Sequence, residues 1–227
     1  MIPILSEISE FTNLHKLKVN ETKSKLMVFN PSKNYQFPLE IGFNHSKLLE
    51  VVSSAKILGV IVSNDLKWSL NTEYITKKAL SRLWTLRRMK NLGLSNEVIF
   101  DVYMKEVRSI LEFGVPVWNG GLTLKDSSKI ENIQKKVFKI LMQNEYSNYE
   151  SACHFFGTDT LEKRRVNMCL KFAKKELLRD ESSFFIKHQP RRHTRQSDKI
   201  KVEEIRCNSA RYSNSSIPYL SRLLNSA

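Results

Sequence analysis

Between Lys77 and Lys90 the chain concentrates its most chemically suggestive side chains. Lys77, Lys78, Arg82, Arg87, Arg88 and Lys90 stand against a single acid, Glu73, and Trp84 lies among them. Ammonium and guanidinium groups at helical spacing are how proteins follow a phosphate backbone, and an interleaved indole offers a stacking face for a base or sugar. The plainer alternative is a solvated basic face with Trp84 in the core. Lys23, in a polar turn before an apolar stretch, can reach a phosphate as a point charge, though an isolated lysine is ordinarily a surface group. Cys169, His188, His193 and Cys207 carry the atoms zinc needs, but there is no Cys-x-x-Cys pair and Cys169 falls on an apolar helical stripe. Cys153-His154 lacks a third, orienting group for thiol catalysis. No Gly-rich phosphate loop, His-Glu-x-x-His or Gly-x-Ser-x-Gly is present, and the sequence contains no Asp-Asp pair. A two-metal polymerase needs clustered carboxylates, and none is visible in the sequence.

The elements that must position these residues divide in two. Up to about residue 70 the pattern is short and β-like, after one helical stretch over residues 6–19. Strand candidates are Lys25–Phe29, Leu39–Phe43, Leu48–Val52 and the apolar run Ile57–Val62, which reads as a buried strand closed by Ser63-Asn64-Asp65. Together they predict a small four-stranded antiparallel patch with an edge helix, too small to be stable alone. From Asn71 the period becomes helical. The stripes are Ile75, Ala79, Leu83 and Leu86; then Ile99, Tyr103, Val107, Ile110 and Leu111 behind a Ser95 cap; then Ile130, Ile133, Val137, Ile140 and Leu141; and last Val166, Cys169, Leu170, Ala173 and Leu177, with Asp159 and Glu162 at a capping-box-like start. These predict a helical bundle over 71–180. Residues 181–227 read as a basic arm, richest in charge from Lys187 to Arg211, closed by a short apolar anchor. The fold class expected is α+β.

Composition narrows the partners. The sequence holds 37 Lys and Arg against 23 Asp and Glu, a formal +14, which suits a polyanion: nucleic acid or an anionic membrane. No apolar window approaches the ~18 residues of a spanning helix, no signal peptide is recognisable, and three cysteines give no disulfide framework. An intracellular, nuclear or cytoplasmic, protein off the membrane is expected.

Several segments, in order, carry a family resemblance. Leu17-Lys-Val-Asn20-Glu-Thr-Lys23-Ser-Lys-Leu-Met-Val-Phe29 resembles the "LxxNxxKTxxMxF" segment of non-LTR (LINE-type, jockey-like) retrotransposon reverse transcriptases. Lys56-Ile-Leu-Gly-Val60 with Asp65-Leu-Lys-Trp68 is similar to that family's "FLGVxIsxdLxW". Tyr103 and Val107-Arg-Ser-Ile-Leu-Glu-Phe-Gly-Val-Pro-Val-Trp118 look like "Y…vrSvLeYg.pVW". Ile130-Glu-Asn-Ile-Gln-Lys-Lys136 followed by Arg164-Arg165 looks like "lExiQkr…RR". The ending, Arg211 to Asn225, is like the C-terminus of such elements.

The resemblance implies the end of a polymerase palm over 1–70, a thumb over 71–180 and a C-terminal tail. Lys23 would match the lysine near the incoming triphosphate, with Ser24 where the family has Thr. Lys56, Leu58 and Gly59 would belong to the primer grip. Lys77, Lys78, Arg82, Trp84, Arg87 and Arg88 would lie against an RNA template and DNA primer, by backbone and shape. The catalytic Tyr/Phe-x-Asp-Asp motif, the fingers and most of the palm would lie upstream. This chain alone is then expected to bind without polymerising and to need no cofactor, Mg²⁺ belonging to the parent enzyme. Two rivals remain: a basic helical module for an acidic protein partner, and an element remnant without function.

Overall fold

The computed structural model describes residues 3–20, 22–29, 42–43, 47–179, 184–186 and 202–227. It is α+β and divides into two compact units, Met1–Lys67 and Trp68–Ala227.

The first unit opens with helix α1, Pro3–Leu14. Lys16 takes a left-handed φ of 54° just beyond it, and the Leu17 amide closes the last turn onto the Thr12 carbonyl at 2.8 Å. Among the described residues six short strands follow: β1 Lys25–Leu26, β2 Gly42–Phe43, β3 Lys47–Leu48, β4 Glu50–Val51, β5 Ser54–Ile57 and β6 Val60–Ser63. They make separate two-stranded pairings, β1 with β4, β2 with β3 and β5 with β6, rather than the predicted four-stranded antiparallel patch. The β1–β4 pair is parallel, with Lys25 beside Glu50 and Leu26 beside Val51, an arrangement a long connection permits and a tight turn does not. Of the predicted strand Leu39–Phe43, residues 39–41 lie outside the described residues. The small core centres on Leu49, against which Leu5, Val19 and Leu26 pack. Ile4, Phe11, Leu14 and Leu17 remain exposed.

The apolar run 57–62 is not one buried strand. It folds back on itself as the β5–β6 hairpin, Ile57 pairing with Val60 across the two-residue turn Leu58-Gly59. Both turn residues have positive φ, 47° and 95°, the mirror-image turn whose twist matches a hairpin and which glycine makes accessible. Leu58, at the tip, is 92% exposed. The Ser63–Asp65 turn stands as predicted: the Ser63 hydroxyl donates to the Asp65 carboxylate at 2.6 Å and the Leu66 amide to the Ser63 carbonyl at 2.9 Å.

The second unit is helical. Helix α2, Ser69–Asn91, buries Ile75, Ala79, Leu83 and Leu86. It ends in a Schellman motif. Gly93 at φ 78° sends its amide to the Lys90 carbonyl, and the Leu94 amide reaches the Met89 carbonyl. The next helix runs as α3 Asn96–Val102, a π-helical turn Tyr103–Arg108, and α4 Ser109–Glu112, with Ser95 capping its start. Its buried residues Ile99, Tyr103, Val107 and Leu111 recur every fourth position. In a pure α-helix of 3.6 residues per turn that spacing drifts by about 40° per step, and the wider turn takes up the surplus. Gly114, left-handed at φ 66°, ends the helix.

Helix α5, Val115–Trp118, leads to α6, Leu124–Met142, capped by Thr123. Asp126 lies inside its first turn and is buried. A short helix α7, Tyr149–Phe155, precedes α8, Leu161–Leu177, whose cap is Thr160 and not Asp159. Asp159 instead pairs with Lys163 at 2.8 Å. Helices α9, Ala210–Ser213, and α10, Ser216–Ser226, close the chain. The latter docks through the Ser216 hydroxyl, donating to the Pro116 carbonyl at 2.8 Å, and the Tyr219 hydroxyl, accepting from Asn119 at 3.0 Å. Gly120 leaves room for this: a β-carbon there would stand 2.5 Å from the Tyr219 ring and 2.9 Å from the Asn214 carbonyl. The basic stretch 187–201 lies outside the described residues.

Candidate nucleic-acid interface

Packing of Ile75, Ala79, Leu83 and Leu86 turns the opposite side of α2 to solvent, and the basic residues are on it. Lys77, Lys78, Arg82, Arg87 and Arg88 are all exposed, and none pairs with a carboxylate among the described residues. The helix's one acid is engaged elsewhere, Glu73 meeting Lys129 at 3.6 Å. Lys90 donates to Asn96 at 2.7 Å and, with Arg88, lies in the last turn where cations complement the helix dipole. From Lys77 to Arg88 the face extends about 16 Å along the axis at ~1.5 Å per residue.

Trp84 settles the choice between core and surface. It is 61% exposed, with the Arg88 guanidinium carbon 5.4 Å from its ring centroid. The other two tryptophans pin structure: Trp118 is fully buried and donates to the Phe113 carbonyl at 2.9 Å, while the Trp68 ring lies against Gly121.

The remaining predicted residues belong to the first unit. Lys23 is exposed on a turn closed by its own amide, which donates to the Asn20 carbonyl and side chain, each at 3.1 Å. Lys56 is exposed on β5, and Leu58 and Gly59 form the hairpin tip. Lys77, Lys78, Arg82, Arg87 and Arg88 thus stand exposed along one helix, while Lys23, Lys56, Leu58 and Gly59 belong to the other unit.

A second basic face went unnoticed in the sequence. On α6 the exposed positions Lys125, Ser128, Asn132, Lys136 and Lys139 share one side and include no acid, because Asp126 and Glu131 are turned inward. The spacing of three, four, four and three residues was the available signal.

Those inward acids explain the polar letters of the resembling segments. Glu131 accepts from Arg165 at 3.2 Å, from the Leu161 amide at 3.2 Å and from the Tyr149 hydroxyl. Arg165, 1% exposed, also donates to Asn119 at 3.1 Å and Ser127 at 2.7 Å. Arg164 grips Glu112 through two nitrogens, at 2.5 and 3.2 Å. Gln134 accepts from Tyr103 at 2.6 Å and donates to the Asp159 carbonyl at 3.1 Å. Arg164 and Arg165 are therefore internal ties and not phosphate ligands. Burial, then the Glu131 hydrogen bond, hold the Tyr149 hydroxyl protonated far above its ordinary range. The α2–α6 contact has its own tie, Asp126, which receives Ser69 at 2.7 Å, Thr123 at 2.8 Å and Lys129 at 3.1 Å.

The two buried thiols offer no nucleophile. Burial pushes Cys169 up to about 11 and also raises Cys153, so neither is a thiolate near neutrality. Of the zinc set, His188 and His193 lie outside the described residues. Among the described residues no group of three or more His, Cys, Asp or Glu side chains is placed to hold a metal ion. No described helix is long and apolar enough to cross a membrane. No family profile, curated protein sequence or solved structure matches the chain.

Proposed function

We propose that this chain is the palm edge and thumb of a LINE-type RNA-directed DNA polymerase, whose helical unit holds a template–primer through backbone contacts. The observation that carries the reading is the stretch of α2 from Lys77 to Arg88, which holds no acid and where Lys77, Lys78, Arg82, Arg87 and Arg88 stand exposed without carboxylate partners among the described residues. Lys78 and Arg82, like charges one turn apart, repel one another, and neither has a carboxylate partner among the described residues. A phosphate backbone offsets such repulsion, through direct pairing and release of its counterions. The ordered likeness of the segments from Leu17 to Asn225 supports the assignment to that polymerase family. So do the apolar side chains Ile4, Phe11 and Leu14 on α1 and Leu17 just beyond it, exposed as on the edge of a larger domain. With no Asp-Asp pair in the sequence, the role assigned to the chain is binding, not polymerisation.

The test is the salt dependence of binding. Five phosphate contacts on a duplex give a slope of log affinity on log salt near −4.5, about a 500-fold loss between 50 and 200 mM salt. Each of Lys77→Gln, Lys78→Gln, Arg82→Gln, Arg87→Gln and Arg88→Gln should flatten the slope by ~0.9 and weaken all sequences alike. Slopes unchanged in all five variants would remove α2 from the interface. Absence of nucleic-acid binding, with a low 260/280 absorbance ratio on purification, would favour an acidic protein partner.

A further inference from the structure

The backbone reading leaves Trp84 without a role, because a phosphate track needs no indole. We infer that Trp84 is a stacking platform for an unpaired base, so that the α2 face takes single-stranded nucleic acid, or the single-stranded overhang of a duplex, in preference to a blunt duplex. The inference rests on the proposed function and narrows its substrate.

An indole 61% exposed on a helix rich in exposed cations leaves apolar surface in water that the fold had a means to bury, as it does with Trp118. Its neighbours one turn away are Leu80 and Ser81 on one side, Arg87 and Arg88 on the other, all exposed. Arg88 lies over the ring at 5.4 Å, and a single guanidinium can occupy only one of the two faces. No other ring contacts Trp84 among the described residues. A free indole face amid phosphate-binding groups matches how single strands are held: bases stack on aromatics, whatever their identity, while cations follow the backbone. Inside a duplex each base is already stacked on both sides and offers no face to Trp84. An overhang or a single strand does.

The tryptophan inventory supplies the assay. Trp118 is fully buried and Trp68 is packed against Gly121, so fluorescence quenched on binding reports Trp84, and Trp84→Phe gives the background. The full-length chain is titrated at one salt concentration with oligothymidine, oligouridine and a blunt duplex of equal length. The expected result is quenching by both single strands but not by the duplex. Trp84→Ala should lose about tenfold in single-strand affinity, with Trp84→Phe largely restoring it and the duplex affinity little changed. Quenching by oligouridine alone would assign the platform to RNA, by oligothymidine alone to DNA, and either supports the stacking role. Single strands and duplex bound equally well, with Trp84→Ala harmless, would overturn the inference and leave the backbone reading standing. If none of the three probes binds, the proposed function fails with it. Trp84 lies outside the core, so thermal melting of the variants should match the parent and separates folding from binding.

Discussion

Replacing Arg165 with Met should be among the most damaging single changes in the helical unit. The side chain is 1% exposed and serves three acceptors, Glu131, Asn119 and Ser127, at 3.2, 3.1 and 2.7 Å. Met fills similar space but strands the Glu131 carboxylate, which keeps only Tyr149 and the Leu161 amide, and leaves Asn119 without a donor. Breaking a buried pair from one side costs about 3–5 kcal/mol. Against a usual total of roughly 5–15 kcal/mol, that is about a fifth or more of the stability. Arg165→Lys should fall between, since one ammonium cannot reproduce a planar fork directed at three partners. The decisive comparison is a double-mutant cycle. Glu131→Gln alone leaves the guanidinium buried opposite a neutral amide, whereas Arg165→Met with Glu131→Gln removes both charges. The double variant should cost less than the sum of the singles by about 1–3 kcal/mol. Urea unfolding followed by far-UV circular dichroism reads this, and Lys105→Ala at the exposed Lys105–Asp101 pair serves as a control expected within experimental scatter. Strict additivity, or an Arg165→Met variant within about 1 kcal/mol of the parent, would refute the idea that this network organises the unit.

Two further outcomes follow from the ionisable groups. Burial works to raise the Asp126 carboxyl, but hydrogen bonds from Ser69, Thr123 and Lys129 outweigh it and hold it below its ordinary value. A depressed folded value contributes stability that is complete above the unfolded value, ~4, and lost as pH falls through the folded one. Ser69→Ala, removing one donor at the α2–α6 contact, should shrink that acid-side loss in urea melts, and an unchanged pH profile would argue against the tie. Of the three thiols, Cys153 and Cys169 are buried and raised while Cys207 is only half-buried, so a thiol reagent at neutral pH should label Cys207 first and the others only on unfolding. Mass mapping of the labelled peptides checks this, and early modification of Cys169 would contradict its burial.

The helices were legible because their information is local. A stripe such as Ile75, Ala79, Leu83 and Leu86 repeats within one element, and Ser95 caps from the adjacent residue, so neither depends on what lies across the core. The basic face of α2 was legible for the same reason, since neighbours one turn apart meet on any helix regardless of fold. The hairpin within 57–62 was not. Strand and hairpin arms share β-branched composition, and a turn at Leu58-Gly59 is set by two backbone angles with no strong polar marker. The cap of α8 fell one residue later than Asp159, at Thr160, because adjacent polar residues compete at the start and packing selects between them. The ties of Arg164 and Arg165 were invisible as ties, joining residues 52 and 34 positions apart. Sequence alone therefore determined an α+β chain with a basic helix at 77–90. Only the tertiary structure decided that Trp84 faces outward while Trp118 faces inward, and that two adjacent arginines hold the core and not a phosphate. Solvent exposure is a property of which surfaces meet, and no single segment contains that information.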